Sequence, residues 1–78
     1  MTNLEKYTQV FLDTFGITKD QAKKLKYQDI PEWDSIGHMS LIAGIEDAFD
    51  IMMDTDDIID LSSFGKGMEI LKKYDVEF

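Results

Sequence analysis

Cysteine is absent from these 78 residues, and so is arginine. Without cysteine the chain has no disulfide, no thiolate metal site and no cysteine nucleophile, so packing alone must hold it together. Without arginine, the only fixed cations are eight lysines, set against 16 Asp and Glu for a formal charge of −8. Phosphate neutralisation needs clustered cations, which argues against nucleic acid or an anionic membrane surface as the main partner. There is one proline, Pro31, and one histidine, His38. No apolar run approaches the roughly 18 residues of a membrane span. The first residues, Met1 to Glu5, lack the basic and apolar regions of a signal peptide. The expectation is a soluble, cytoplasmic, monomeric protein with no membrane insertion.

The residues that are present can build one thin core. A domain of this length buries only about 60–65% of the surface its unfolded chain exposes, leaving no room for a deep, walled active site. Hydrophobic residues at 44%, including nine aromatics, are enough to oppose disorder despite the charge.

Periodicity predicts an all-α fold with no strand. Leu4, Tyr7, Phe11 and Phe15 recur at steps of three and four, placing them on one face of a helix over about 2–15. Thr2 and Glu5 have capping-box spacing, and Gly16 is a natural stop. Residues 16–34 read as a long ordered loop pinned by Leu25, Tyr27, Ile30 and Trp33. Within it, Thr18 and Gln21 can cap a short turn, and Pro31 biases Ile30 away from helix. A second long helix runs over about 35–50, capped by Asp34 or Ser35, with Ile36, Met39, Ile42, Ile45 and Phe49 in one apolar stripe widened by Leu41 and Ala48. A short acidic helix over about 54–60 turns Ile58 and Ile59 inward. The last helix, about 63–74, carries Phe64, Met68, Leu71 and Tyr74 on one face. Lys72 and Lys73 sit in its last turn, facing the negative end of its dipole.

Several constellations invite chemistry. Ser35 and His38 share a helix face beside Asp34, but a hydrolase triad needs a held base, an oxyanion hole and a water-excluding cleft. No catalytic residue is expected. The acidic run Asp54-Thr55-Asp56-Asp57-Ile58-Ile59-Asp60 resembles a calcium loop only superficially: an EF-hand starting at Asp54 needs glycine where Ile59 stands and glutamate where Gly65 stands. It reads as a solvated acidic face, and no metal site is expected. Met39, Met52 and Met53 are either core or the lining of an adaptable cavity. Gly65 and Gly67 serve either close backbone approach or local motion. A serine hydroxyl at a helix N-terminus, with Gly37 leaving room beside it, sits where an attached phosphate would meet unpaired N–H groups.

The segment Trp33-Asp34-Ser35-Ile36-Gly37-His38-Met39-Ser40-Leu41-Ile42, continuing through Ile45-Glu46-Asp47-Ala48-Phe49-Asp50-Ile51, resembles the acyl carrier proteins and their peptidyl and aryl relatives. Their signature is Asp-Ser-Leu opening the second helix, often after Trp and before Gly-His. The likeness extends over the whole chain in helix order, size and acidity. It implies a four-helix acyl-carrier-like bundle, three main helices plus a short third one, that is not an enzyme. It further implies a 4′-phosphopantetheine arm, moved from coenzyme A onto Ser35 by a phosphopantetheinyl transferase, with Asp34, Ile36, Gly37 and His38 as motif neighbours.

The thiol of that arm would hold acyl groups as thioesters, supplying the sulfur this chain lacks. By the same likeness, Met39, Glu46, Asp47 and Asp50 would meet basic docking patches on the transferase, on loading ligases and on condensing or transferring enzymes. Met39, Ile42, Ile58, Ile59, Phe64 and Met68 would border a space that shelters an acyl chain. Ile36 stands where the family usually has Leu, and Trp33 with Gly37-His38 is commoner in specialised or amino-acid carriers. The cargo therefore stays open between acyl and aminoacyl groups, and the pathway between fatty acid or lipid and specialised metabolite biosynthesis. A different class also remains: a small acidic helical adaptor without a prosthetic group.

The charge is not spread evenly. Ten of the 16 acids and none of the eight lysines lie between Tyr27 and Gly65.

Overall fold

A computed structural model describes residues 1–78 as five helices and no strand. They are α1 (Asn3–Phe15), α2 (Lys19–Lys23), α3 (Ser35–Phe49), α4 (Thr55–Asp60) and α5 (Phe64–Lys72). Both partners of the Thr2 and Glu5 capping box are in place on α1, which closes at Gly16 in the left-handed conformation. Thr18 and Gln21 form a second capping box, and it starts a true helix, α2, inside the stretch read as loop. The five-residue α2 carries too few periodic positions for a pattern to register, but its cap spacing is the same signal as in α1.

The core is built on aromatic contacts between elements far apart in sequence. Tyr7 and Phe11 of α1 meet Phe64 at ring-centroid distances of 4.8 and 5.0 Å. Phe11 and Phe15 meet Trp33 at 5.7 and 5.4 Å. Pairs at such separations add stabilisation beyond their buried area. Leu41, Ile42 and Ile45 complete the core from α3, and Ile70 and Leu71 from α5. Of the loop anchors, Leu25 and Trp33 are buried, Ile30 is half-buried and Tyr27 lies at the surface.

Two apolar stripes are shorter than their sequence pattern suggests. Leu4 is largely outside the α1 interface, and Ile36 and Met39 are 79% and 56% exposed at the start of α3. In the first turns of α3 the covered side is that of Gly37 and His38, both half-buried, so the apolar stripe there marks a face turned toward solvent. Met53 is buried and Met52 exposed, which divides that pair between core and surface.

Gly67 proves to be a close-approach glycine. A Cβ there would stand 2.1 Å from the Tyr7 hydroxyl. That hydroxyl is itself buried and donates to the Phe64 carbonyl at 2.7 Å, and its burial raises the phenol pKa above the ordinary 10.0. Gly67→Ala gains helix propensity but must displace this bond, so a net loss of about 1–2 kcal/mol is expected in urea denaturation. Unchanged stability would show that the Tyr7 ring can retreat. Gly65 has open space around it.

Candidate functional site

The N-terminus of α3 gathers the motif residues. Asp34, not Ser35, is its N-cap: its carboxylate accepts from the Gly37 N–H at 2.8 Å. Ser35 is the first helical residue and is exposed, its hydroxyl relieved of capping duty. The bare face of Gly37 does not open beside the serine. It lies against the preceding loop, where a Cβ would come within 1.9 Å of the Glu32 carbonyl oxygen and 3.3 Å of Phe15.

His38 joins three elements. The Trp33 indole N–H donates to Nδ1 at 3.0 Å, and Nε2 lies 2.7 Å from the Ile58 carbonyl of α4. An indole nitrogen only donates, so Nδ1 is the acceptor and Nε2 carries the hydrogen that Ile58 receives. Both ring nitrogens are thereby used in holding Trp33, α3 and α4 together, and neither is free to take a proton from Ser35. The imidazole also stacks on Trp33 with an interplanar angle of 15°.

A groove of about 390 Å³ runs beside Ser35, walled by Tyr27, His38, Met39, Ile58, Ile59, Leu61 and Ser62. Its far wall is fixed by the loop, where the Tyr27 N–H donates to the Ser62 carbonyl and the Phe64 N–H donates to the Leu25 carbonyl. Nothing in the sequence pattern marks Tyr27, Leu61 and Ser62 as site residues. Tyr27 reads from the sequence only as one of the four apolar anchors of the 16–34 loop, and the backbone pairing that brings in Ser62 has no local signal.

The six residues expected to border a shelter for cargo do not stay together. Met39, Ile58 and Ile59 line the groove. Ile59 is 72% exposed rather than turned inward, and Ile58 is half-buried. Ile42 and Phe64 are packed in the core, and Met68 is half-buried against it. The expected acidic face is likewise divided. Asp47 and Asp50 are exposed, but Glu46 is half-buried and accepts the Met53 N–H at 2.8 Å, securing the turn after α3. Asp50 adopts a left-handed conformation and closes the helix.

Asp57 departs furthest from expectation. In place of a solvated face, its carboxylate is buried and bonded to Lys73 and to the Tyr74 hydroxyl. The Lys73 ammonium is therefore engaged with this acid rather than free at the end of α5. These bonds, Lys73 first and Tyr74 second, hold the Asp57 pKa below the ordinary 3.8. The same pairing raises Lys73. Asp54 and Asp60, both exposed, are the other charges near this cluster. A depressed carboxyl pKa contributes stability fully above 3.8 and loses it as pH falls through the lower folded value. The Asp57 carboxyl carbon resonance is expected to titrate with a midpoint under 3.8. A midpoint at or above that value would contradict the pairing.

No group of three or more His, Cys, Asp or Glu is arranged to hold a metal ion, and no helix is long and apolar enough to cross a membrane. Comparison with known protein families, curated proteins and solved structures yields no match. What the site offers chemically is an exposed primary hydroxyl, without a base, at a helix start beside an apolar-walled groove.

Proposed function

We propose that the chain is a carrier protein of the acyl carrier type, a four-helix bundle with one additional short helix, α2. Ser35 would be the attachment point for 4′-phosphopantetheine. The observation that carries this reading is the division of labour at the start of α3. Asp34 caps the helix, so the neighbouring serine is presented to solvent with no structural task. The residues fit such a group: the hydroxyl is reachable by a partner enzyme, and the groove beside it has apolar walls along which an arm can lie. When bound, the arm supplies the thiol that the chain lacks.

Exposed Ile36 and Met39 stand in the first turns of α3 beside Ser35, exposed Ile59 lines the same groove, and exposed Asp56 and Asp60 belong to α4. Asp47 and Asp50 lie about 18 and 22 Å further along α3. A basic enzyme surface with an apolar centre complements that pattern. The charges would chiefly raise association rate and select partners. The burial of Ile42 and Phe64 favours a short cargo resting in the groove over a long acyl chain threaded between helices. This supports the aminoacyl-type alternative within the same reading.

Incubation with coenzyme A and a broad-specificity phosphopantetheinyl transferase, followed by intact mass measurement, tests the proposal. A gain of one phosphopantetheine is expected. An unmodified chain would leave the adaptor reading, in which the acidic surface binds a basic partner directly.

A further inference from the structure

Short helices usually dock by an apolar face, and α4 has only a small one: Ile58 packs half-buried against the core, and Leu61, which closes the helix, is buried in it. The only fully buried side chain of its six residues is a carboxylate, Asp57. At its start, the Asp54 side chain makes no cap bond, and the Asp54 N–H donates instead to the Tyr74 hydroxyl at 2.9 Å. The same hydroxyl donates to Asp57, whose other oxygen accepts from Lys73. Further along, the Ile58 carbonyl receives the His38 Nε2 hydrogen. Ile58 and Ile59, which wall the groove beside Ser35, are therefore held by polar bonds to the chain after α5 and to α3 as well as by the packing of Ile58 on the core.

We propose that α4 is a flap over the groove beside Ser35, latched by polar side chains that supplement a small apolar contact, with Tyr74 and Lys73 as its positioning residues. Tyr74 secures two points of the latch with one hydroxyl, and Lys73 neutralises the single buried charge. Losing either leaves a buried carboxylate under-satisfied, which favours local opening of α4 over unfolding of the aromatic core. The link to groove access at Ser35 rests on the carrier reading, whereas the latch itself stands independently of it.

Amide hydrogen exchange on the unloaded chain separates the two. Tyr74→Phe keeps the ring and removes both hydroxyl bonds, and Lys73→Met keeps an apolar stem and removes the charge. Each is expected to speed exchange of the Ile58 and Leu61 amides by about tenfold relative to the Phe11 and Phe15 amides of α1, with Lys73→Arg restoring the slow rate. Several outcomes would overturn the latch: α4 amides already exchanging as unstructured chain in the wild type, no change in the variants, or an acceleration no greater than that of α1. Failure of the wild type to accept phosphopantetheine would overturn the carrier reading and leave this result standing.

Discussion

Trp33→Ala is expected to unfold much of the population at 37 °C. The indole is fully buried between Phe11 and Phe15 and donates to His38. Removing a buried tryptophan costs about 3–5 kcal/mol, because the cavity collapses only partly. A domain of this length has a total stability of roughly 4–12 kcal/mol at the usual 0.05–0.15 per residue. The substitution therefore removes a quarter or more of it. The effect also reaches the site, since His38 loses the donor that orients its ring and with it the tie to α4. Trp33→Phe should lose less, because a ring still fills most of the space, while Nδ1 of His38 is left without its donor. Because Trp33 is the only tryptophan, the comparison belongs to circular dichroism in urea. Equal stability for Trp33→Ala and wild type would place the aromatic core elsewhere.

Ser35→Ala is expected to behave in the opposite way, losing all phosphopantetheine loading while keeping its stability within about 0.5 kcal/mol. The reason is the assignment of the cap. Asp34 accepts the Gly37 N–H, so Asp34→Ala should cost about 1 kcal/mol and Ser35→Ala almost nothing. Denaturation curves of both variants, measured beside the loading assay, separate the two roles of adjacent residues. If Ser35→Ala were the destabilised variant, the serine would be a structural cap and its exposure would carry no functional meaning.

What could be read from the sequence was local. Capping boxes at Thr2 with Glu5 and at Thr18 with Gln21 depend on neighbours three residues apart, and both are found in the structure. The second nonetheless sits in a stretch whose pattern is that of a loop, because a five-residue helix has no periodicity to accompany its cap. The exposure of Ile36 and Met39 is not legible for a related reason: an apolar stripe records a preference for cover but not whether a neighbour covers that end of the helix. Asp57 escaped because its partners, Lys73 and Tyr74, lie 16 and 17 residues away. In sequence it is one acid among several, and only the fold selects it for burial. His38 and Gly67 follow the same rule. Their partners, Ile58 and Tyr7, come from other helices, so the requirement for imidazole at one place and for no side chain at the other is tertiary. The segregation of charge, by contrast, was visible at once, since it is a property of the linear chain.

The central claim is that Ser35 is an attachment point. Cleavage after lysine gives a single peptide containing it, Tyr27–Lys66. After incubation with coenzyme A and a phosphopantetheinyl transferase, fragmentation of that peptide by mass spectrometry should place one phosphopantetheine on Ser35 and leave Ser40, Ser62 and Ser63 unmodified. An unmodified peptide, or an arm on any of the other three serines, would contradict the account.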